Sequence, residues 1–404
     1  MYDVYKIRKD FPVFDNNKTI YLDNAATTYK PQVVIDAVTN YLSKETANSG
    51  RGDYQNAYLV DKRVDETRAL IHKFINSKHV QEVVFTQGTT ASLNMVAKCY
   101  GEKFLKEGDE ILLSIAEHAS NTLPWMQVAK KTGAKIVYMP LSEDGKVTPE
   151  IVEKYMTEHT KVVSVLHVSN VLGHVHGIKQ IAKIVHDKGA IIVLDGAQSV
   201  PHMKVDVQDL DVDFLAFSGH KMLAPTGIGV LYGKKELLEK MDPYQTGGGM
   251  NFSYDKEGNY ELFKVPLKFE AGTLNIEAIY GLHAAIEYIN KIGIENISKH
   301  EHKLRTYAVS KLKEMDHIIL YNENAETGII TFNVKNVFAQ DVATYFNSKN
   351  IAVRSGEHCA KLLKEHLREV ATVRVSLYLY TTKEEIDAFV EAARTAENYL
   401  DAYF

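Results

Sequence analysis

The sequence predicts an α/β protein with a large domain, built on a mostly parallel sheet between helices, and a smaller α+β domain toward the C-terminal end. From about residue 83 to residue 233, short runs of Val, Ile and Leu alternate with longer amphipathic stretches, as strands connected by helices do. Several of these apolar runs lack polar alternation, which is typical of strands that helices cover on both faces. After residue 291 the pattern changes to an α+β order.

The predicted elements of the large domain begin with its strands. They lie at residues 83–86, 110–114, 135–139, 162–168, 191–195, 214–218 and 229–232. A Gly-rich stretch at 245–258 then interrupts the core, and a long helix is predicted at 275–292. The smaller domain has predicted helices near 299–315, 340–347 and 383–400, strands at 328–334 and 372–378, and a loop around 354–364.

These elements predict a division of the chain into three parts. Residues 1–18 form an N-terminal arm that packs on the small domain, residues 19–290 form the large domain, and residues 291–404 form the small domain with the loop around Cys359. A chain of 404 residues is long enough to enclose a ligand between two such domains.

Charge and cysteine usage narrow the class of partner. The formal net charge of -5 provides no basic face for nucleic acid or an anionic membrane. The two cysteines, Cys99 and Cys359, cannot build a disulfide framework or a four-cysteine metal site, and no metal is expected. The first residues lack the apolar stretch of a signal peptide, and no run of about 18 apolar residues occurs. We therefore expect a cytoplasmic protein that does not span a membrane.

The loops that follow the predicted strands hold the chain's most unusual residues. Gly88, Thr89 and Thr90 lie between a strand and a helix, where backbone N–H groups and hydroxyls at the positive end of the helix dipole form a phosphate cradle. A simple helix N-cap is the alternative explanation for threonine at this position. Because loops at the carboxyl ends of parallel strands converge, the neighbouring loops favour the phosphate site.

Asp195 ends an apolar run, where a buried carboxylate needs a cation such as a pyridinium N–H, or else caps the following turn. Gln198 follows it closely enough to reach the same ligand ring and donate to a phenolate oxygen. Lys221 lies among apolar and small residues about 26 positions after Asp195, and desolvation favours Schiff-base formation by such a lysine. A surface lysine is the alternative. His118 is placed either flat on a ligand ring or in an ordinary hydrogen-bonded loop.

The two cysteines differ in their surroundings. Cys359 lies in a polar, Gly-containing loop with Arg354 and His358 nearby, a setting that favours a reactive and accessible thiolate. Cys99 lies in a helical stretch beside Val96 and Ala97, which indicates an inert, packed thiol.

Taken together, these motifs resemble the class-V aminotransferase superfamily of fold-type I pyridoxal 5'-phosphate (PLP) enzymes, and within it the group II, SufS-type cysteine desulfurases. The resemblance runs over nearly the whole chain. The motifs that carry it are Tyr21-Leu22-Asp23-Asn24-Ala25-Ala26, Phe85-Thr86-Gln87-Gly88-Thr89-Thr90, His167-Val168-Ser169-Asn170-Val171-Leu172-Gly173, Asp195-Gly196-Ala197-Gln198, Phe217-Ser218-Gly219-His220-Lys221, Pro225-Thr226-Gly227-Ile228-Gly229, Phe269-Glu270-Ala271-Gly272-Thr273 and the Arg354-x-Gly356-x-x-Cys359 loop.

The resemblance implies a role for each matching residue. Lys221 would bind PLP covalently, Asp195 would pair with its pyridine nitrogen, Gln198 with its phenolate, and His118 would stack on its ring. The implied phosphate ligands are Thr89, Thr90, Ser218 and His220, joined by Thr273 from the other subunit of a homodimer. The implied substrate contacts are Asn170, Arg374, Arg354 and Arg51.

The implied reaction converts L-cysteine to L-alanine and leaves the sulfur as a persulfide on Cys359. The sulfur would pass to an acceptor protein of SufE or SufU type, or to a scaffold, for iron–sulfur cluster assembly. The chain departs from the resembled pattern at Glu357, at Lys361 and at Asp53-Tyr54 after Arg51-Gly52. A selenocysteine lyase or related class-V lyase, and a PLP-bound scaffold with little activity, are the alternatives.

Overall fold

A computed structural model describes residues 2–50 and 52–403 of the chain. In chain order its strands are β1 (Ile20–Tyr21), β2 (Val83–Thr86), β3 (Glu110–Ser114), β4 (Lys135–Met139), β5 (Thr160–Leu166), β6 (Ile191–Asp195), β7 (Phe214–Ser218), β8 (Gly229–Gly233), β9 (Asn251–Tyr254), β10 (Tyr260–Leu262), β11 (Ile318–Leu320), β12 (Ile329–Val334), β13 (Ile351–Ala352), β14 (Arg354–Gly356) and β15 (Thr372–Ser376).

The helices lie between these strands and at both ends of the chain. In order they are α1 (Val4–Arg8), α2 (Val13–Asn16), α3 (Gln32–Asn40), α4 (Gln55–Phe74), α5 (Thr89–Val96), α6 (Glu102–Phe104), α7 (Ala119–Thr132), α8 (Pro149–Tyr155), α9 (Ile178–Asp187), α10 (Val207–Leu210), α11 (Lys235–Lys240), α12 (Ile276–Ile292), α13 (Ile294–Leu312), α14 (Ala339–Ser348), α15 (Lys364–Leu367) and α16 (Lys383–Arg394).

The main sheet has the strand order β2-β8-β7-β6-β5-β3-β4. Strand β8 runs antiparallel to both of its neighbours, and the other pairs in this sheet are parallel. Alternate residues of one strand enter different cores: Ile192 and Leu194 of β6 join the core on one face, whereas Val193 joins the core on the other. Burial of both faces explains the continuous apolar runs and confirms the α/β prediction.

The helices differ in how much of their surface is buried, since α12 is buried nearly all round whereas α9 buries one face. Helix α9 buries Ile178, Ile181, Ala182 and Val185, the spacing of a single helical stripe. Toward the C-terminal end, a second sheet with the order β11-β12-β15-β14 is antiparallel throughout. Its core is centred on Phe332, Phe346 and Phe389, with α14 and α16 supplying the last two. This order matches the predicted change to an α+β pattern.

Three sequence predictions need correction. The strand predicted at 162–168 runs from Thr160 to Leu166, because Val168 pairs back with Val175 in an isolated antiparallel bridge. The loop predicted at 354–364 begins with strand β14, which pairs with β15 although its Arg-Ser-Gly sequence has little strand character. The Gly-rich stretch at 245–258 contains β9, which forms an antiparallel hairpin with β10 and exposes Phe252 and Tyr254.

The predicted arm and the segment directly after it contact residues far away in the sequence. Arg8 pairs with Glu385 at 2.9 Å and donates to the carbonyl of Tyr380, while β1 pairs in parallel with β13 and Leu22 packs in the C-terminal core. The division at residues 18, 290 and 404 remains a prediction. Within the described residues, no helix combines the length and apolar character needed to cross a bilayer.

Candidate active site

A cavity of about 230 Å³ opens at the carboxyl ends of the parallel strands, where the loops after β2, β3, β5, β6 and β7 meet the Cys359 loop. The cavity brings together most of the residues singled out in the sequence. They are Thr89, Thr90, His118, Asn170, Asp195, Gln198, Ser218, His220, Lys221, Arg354, Cys359 and Arg374. Its lining also includes residues that sequence reasoning had given no role, such as Ala25, Ala26, Ser120 and Ala197.

Lys221 ends a short 3-10 turn, Gly219–Lys221, directly after strand β7. Burial, together with the positive charges of Arg374 and Arg354 and opposed by Asp195, lowers the pKa of its ammonium group to about 8. Near neutral pH a minority of the Lys221 side chains is therefore neutral, a larger share than for an ordinary lysine, and the neutral amine is the form that attacks a carbonyl carbon.

Asp195 is the last residue of β6, and Gln198 lies on the loop that follows it; both line the same cavity as Lys221. One oxygen of Asp195 accepts a hydrogen bond from the backbone N–H of Ala197 at 2.9 Å, so this residue does cap its turn as the alternative explanation required. Gln198 donates to the carbonyl of Ala25 at 2.8 Å, and its buried amide oxygen has no partner within the described residues. Only a hydrogen-bond donor would satisfy this oxygen, so a contact with a phenolate would have to use the second N–H of the Gln198 amide.

The predicted phosphate cradle is formed at the start of α5. Gly88 has a φ of 150°, and a side chain there would approach the hydroxyl of Ser218 to 3.3 Å. The Ser218 hydroxyl lies 2.7 Å from both the backbone nitrogen and the hydroxyl of Thr89, and Thr90 contacts Ser120 at 2.7 Å. These hydroxyls and the free N–H groups of the first helical turn provide donors suited to a phosphate.

His118 is the N-cap of α7, and its Nδ1 accepts a hydrogen bond from the backbone N–H of Ser120 at 3.1 Å. Burial lowers the pKa of its ring, which is therefore neutral at physiological pH. Beneath it, Glu117 is buried and accepts hydrogen bonds from Ser114 at 2.5 Å and Asn121 at 2.7 Å. Burial raises the pKa of the Glu117 carboxyl to about 8.

Arg374 is fixed at the side of the cavity by contacts that the sequence analysis did not find. Its guanidinium donates to the carboxylate of Asp23 at 3.0 Å and to the carbonyl of Asn170 at 2.9 Å, while its buried Nε has no partner within the described residues. Asp23 also lies 3.8 Å from Arg354. Asp23 stands in one of the recognised motifs, but nothing local indicates an ion pair with a residue 351 positions away.

The Cys359 loop reaches the cavity from the C-terminal part of the chain. The thiol is exposed, and the backbone carbonyls of Cys359 and His358 accept hydrogen bonds from Ala119 and Asn170, both at 2.8 Å. Cys359 and His358 have left-handed φ angles of 58° and 50°, respectively. The loop is thus held in a strained backbone conformation that presents the sulfur to the cavity.

His358 does not supply the positive charge that the sequence suggested for the Cys359 setting. Its Nε2 lies 3.0 Å from the hydroxyl of Thr372, and burial lowers the pKa of its ring to about 3, so the ring is neutral. The cations around the cavity are Arg354, Arg374 and Lys221. Cys99 is buried, and burial raises the pKa of its thiol to about 12, as expected for an inert packing residue.

One predicted site residue, Thr273, lies apart from this cavity. Thr273 lies in a separate surface cleft, where Asn48 donates to its hydroxyl at 3.4 Å. Arg51 falls outside the described residues.

The available polar atoms fit a PLP-sized ligand with a phosphate at one end and an aromatic nitrogen at the other. Donors cluster at Thr89, Thr90 and Ser218, the carboxylate of Asp195 lies at the end of β6, and Lys221 lines the same cavity from the turn after β7. The unpartnered amide oxygen of Gln198 indicates a further polar contact to be completed.

Comparisons with known proteins agree with this site. Residues 20–389 match the family Aminotransferase class-V. A probable cysteine desulfurase of Halalkalibacterium halodurans is 46% identical over 408 residues, with all of both chains covered. The crystal structure of the cysteine desulfurase CsdA from Escherichia coli, in an S-sulfonic acid form, superposes with a TM-score of 0.93 at 35% identity and covers 98% of this chain and 99% of its own.

An apo structure of a cysteine desulfurase from Thermococcus onnurineus NA1 is also similar, with a TM-score of 0.92, 38% identity and coverage of 96% and 97% of the two chains. These likenesses confirm the fold-type I architecture. The chain belongs to the class-V aminotransferase family of PLP-dependent enzymes.

Proposed function

We propose that this protein is a SufS-type cysteine desulfurase, which converts L-cysteine to L-alanine and carries the sulfur as a persulfide on Cys359. The observation that carries the proposal is the convergence of Lys221, Arg374 and the exposed Cys359 on one cavity. The relatives named as cysteine desulfurases support it over the full length of the chain.

The cofactor contacts belong to the proposal. Lys221 would hold PLP covalently, Asp195 its pyridine nitrogen, Gln198 its phenolate and His118 its ring face. Thr89, Thr90, Ser218 and His220 would hold the phosphate. Bound PLP supplies an electron sink that lowers the cost of negative charge at the substrate Cα.

The protein's own residues then have distinct tasks. Arg374, fixed by Asp23, offers its unpartnered N–H groups to the substrate carboxylate, and Asn170 and Arg354 line the same side. The low pKa of Lys221 allows its amine to take the Cα proton and to return it.

Sulfur transfer requires a thiolate at Cys359. Its Sγ attacks the substrate sulfur, so that an S–S bond forms while the substrate Cβ–S bond breaks and its electron pair stays on the carbon fragment. After protonation that fragment leaves as L-alanine. The balance is one L-cysteine and one enzyme thiol giving one L-alanine and one enzyme persulfide.

We further propose a cytoplasmic homodimer in which Thr273 of one subunit completes the phosphate site of the other. The position of Thr273 in a cleft away from its own subunit's cavity supports this arrangement. A SufE- or SufU-type acceptor, or a scaffold, would take the sulfur from the exposed Cys359 for iron–sulfur cluster assembly.

The test compares the two cysteines directly. Wild type, Cys359→Ala and the matched control Cys99→Ala are supplied with L-cysteine, and L-alanine and sulfide are measured with and without a thiol reductant. We expect Cys99→Ala to behave like wild type and Cys359→Ala to form no L-alanine while retaining the yellow absorption of lysine-bound PLP near about 420 nm. Undiminished turnover of L-cysteine by Cys359→Ala contradicts the proposal.

The same variants separate the desulfurase from a lyase. If Cys359→Ala loses L-cysteine turnover but wild type prefers L-selenocysteine by a large factor, a selenocysteine lyase is the better description. If wild type binds PLP but turns over neither amino acid, the protein is a PLP-bound scaffold.

A further inference from the structure

A second lysine, Lys30, lies beneath the turn that carries Lys221. Its Nζ donates to the carbonyl of Thr28, lies 3.2 Å from the carbonyl of His220 and lies 3.5 Å from the hydroxyl of Thr27. Among the ion pairs found within the described residues, none involves Lys30. A partly buried ammonium group thus faces only neutral oxygen atoms, which is a costly arrangement.

The His220 carbonyl is the centre of this arrangement. Besides Lys30, it faces the backbone N–H of Thr28 at 3.1 Å, the hydroxyl of Thr27 at 3.1 Å and the hydroxyl of Thr28 at 3.2 Å. A carbonyl oxygen has two lone pairs, so donors from four directions exceed what its hydrogen bonding requires. This carbonyl belongs to the peptide bond between His220 and Lys221.

The segment that ends in Lys30 also contacts the opposite side of the cavity. Ala25 accepts a hydrogen bond from Gln198 at 2.8 Å and donates its backbone N–H to Ser376 at 2.9 Å. Thr28 accepts from the backbone N–H of Leu223 at 3.0 Å. Residues 25–30 therefore join the Lys221 turn to the loop of Gln198 and to strand β15.

The charge of Lys30 acts on the same turn. Burial and, to a lesser extent, the positive charges of Lys221 and Lys30 lower the pKa of the His220 ring to about 4. Burial also lowers the pKa of Lys30 to about 8, with no acidic group opposing the shift. His220 is consequently neutral, and a positive electrostatic potential lies behind the turn.

We propose that Lys30 is a positioning residue whose ammonium group fixes the His220–Lys221 peptide and directs positive potential toward the cofactor end of Lys221. This inference rests on the proposed function, in which Lys221 binds PLP and His220 contacts its phosphate. Lys30 acts through these residues and does not line the cavity.

Lys30→Met tests this role. If Lys30 only stabilised the fold, the variant would lose thermal stability, whereas the proposed role predicts weaker PLP binding without such a loss. The variant removes a poorly compensated charge and leaves the His220 carbonyl with donors from Thr27 and Thr28, so its thermal stability should be equal to or above that of wild type. We expect its dissociation constant for PLP to rise about tenfold. Thr27→Val, which removes a neutral donor from the same carbonyl, is the matched control and should change that constant by less than about threefold.

A pH titration of the absorption of lysine-bound PLP provides the second measurement. Removing a nearby positive charge favours the protonated nitrogen, so the midpoint for Lys30→Met should move upward by roughly a few tenths of a pH unit, whereas Thr27→Val should match wild type. The titratable and charged groups that act on Lys221 are Asp195, Arg374, Arg354 and Cys359, and the two variants leave them unchanged. Lys30 acts on the neighbouring His220.

Wild-type PLP affinity and an unchanged midpoint in Lys30→Met would overturn the inference while leaving the proposed function intact. If Lys30→Met does not fold, Lys30→Gln decides, because it keeps a donor but not the charge and should still show the upward shift. Absence of PLP absorption in wild type would instead contradict the proposed function itself.

Discussion

The two sides of the cavity are built in different ways. The cofactor side consists of Asp195, Ser218, His220 and Lys221. These residues lie at the ends of strands β6 and β7 or in the turn that follows β7, and both strands are buried on both faces. The sulfur side, residues 354–359, is a short edge strand followed by an exposed thiol. Backbone contacts to Ala119 and Asn170 hold it at the cavity.

This difference matches the two tasks of the proposed reaction. Proton transfer needs groups held in fixed positions with displaced pKa values, which burial at the ends of strands provides. Delivery of sulfur to another protein needs an accessible atom on a loop. Changes on the cofactor side should therefore alter cofactor binding, whereas changes on the sulfur side should leave it intact.

The largest effect is expected for Lys221→Ala. We expect this variant to lose the absorption at about 420 nm and to lose about 10⁴-fold or more in the rate of L-alanine formation, because Lys221 is the one lysine among the described residues that line the cavity. Absorption spectra and an L-alanine assay check this. Lys204→Ala, a change at an exposed lysine, is the control and should resemble wild type. An unchanged absorption band in Lys221→Ala would remove Lys221 from its assigned role.

Arg374 and Asp23 join the two sides and should give the next largest effects. Arg374→Lys loses the planar, two-pronged donor geometry, and KM for L-cysteine should rise about 100-fold. Asp23→Asn keeps the shape of the side chain but weakens the 3.0 Å ion pair, so KM should rise about tenfold.

Steady-state kinetics, with the PLP absorption as a folding check, measure both Arg374→Lys and Asp23→Asn. An Asp23→Asn variant with wild-type KM would mean that Arg374 is oriented without its carboxylate partner.

Much of the cofactor side was predictable from the sequence because its physics is local. Apolar runs such as Ile191–Asp195 identify strands covered on both faces, and the polar residue at the end of each run marks the edge of the sheet. The strands at 83–86, 110–114 and 191–195 have the bounds that were predicted. The Arg374–Asp23 ion pair was not predictable in this way, because its two residues are brought together only by folding.

The sulfur side was harder to predict. Strand β14 has little intrinsic strand character and exists because β15 pairs with it. His358 and Cys359 have left-handed backbone conformations although neither is a glycine, so their residue types do not predict these conformations. Sequence reasoning identified Cys359 from its polar neighbours but did not predict that the neutral His358 ring contacts Thr372.

Substitution of Glu117, on the cofactor side, should have a smaller effect, on the pH dependence of stability. Its ordinary pKa is 4.5 and burial raises it to about 8. Between these values the folded protein retains a proton that the unfolded chain loses, so the stability of wild type falls as pH rises through this window. Glu117→Gln removes this titration. The free energy of unfolding of the variant, relative to that of wild type, should therefore increase by on the order of 1–4 kcal/mol from pH 5 to pH 8.

Thermal unfolding of wild type and Glu117→Gln across this pH range measures the effect. Parallel curves for the two proteins would show that the carboxyl does not titrate in this window.

The smallest effect is expected at Glu357 on the sulfur side. Its nearest cationic partner is Lys361, 3.7 Å away and largely exposed. Glu357→Ala should change the free energy of unfolding by less than about 0.5 kcal/mol and leave the PLP absorption unchanged. Thermal unfolding and spectra check this. A loss of PLP from this variant would show that the two sides are not separable.

The most direct measurement of the central claim is the location of sulfur after a single turnover. Wild-type protein loaded with PLP is given one equivalent of L-cysteine, digested, and analysed by mass spectrometry of the peptides that contain Cys359 and Cys99. We expect one added sulfur atom on the Cys359 peptide, none on the Cys99 peptide, and an equal amount of L-alanine. Sulfur on Cys99, or L-alanine released with no sulfur bound to the protein, would contradict it.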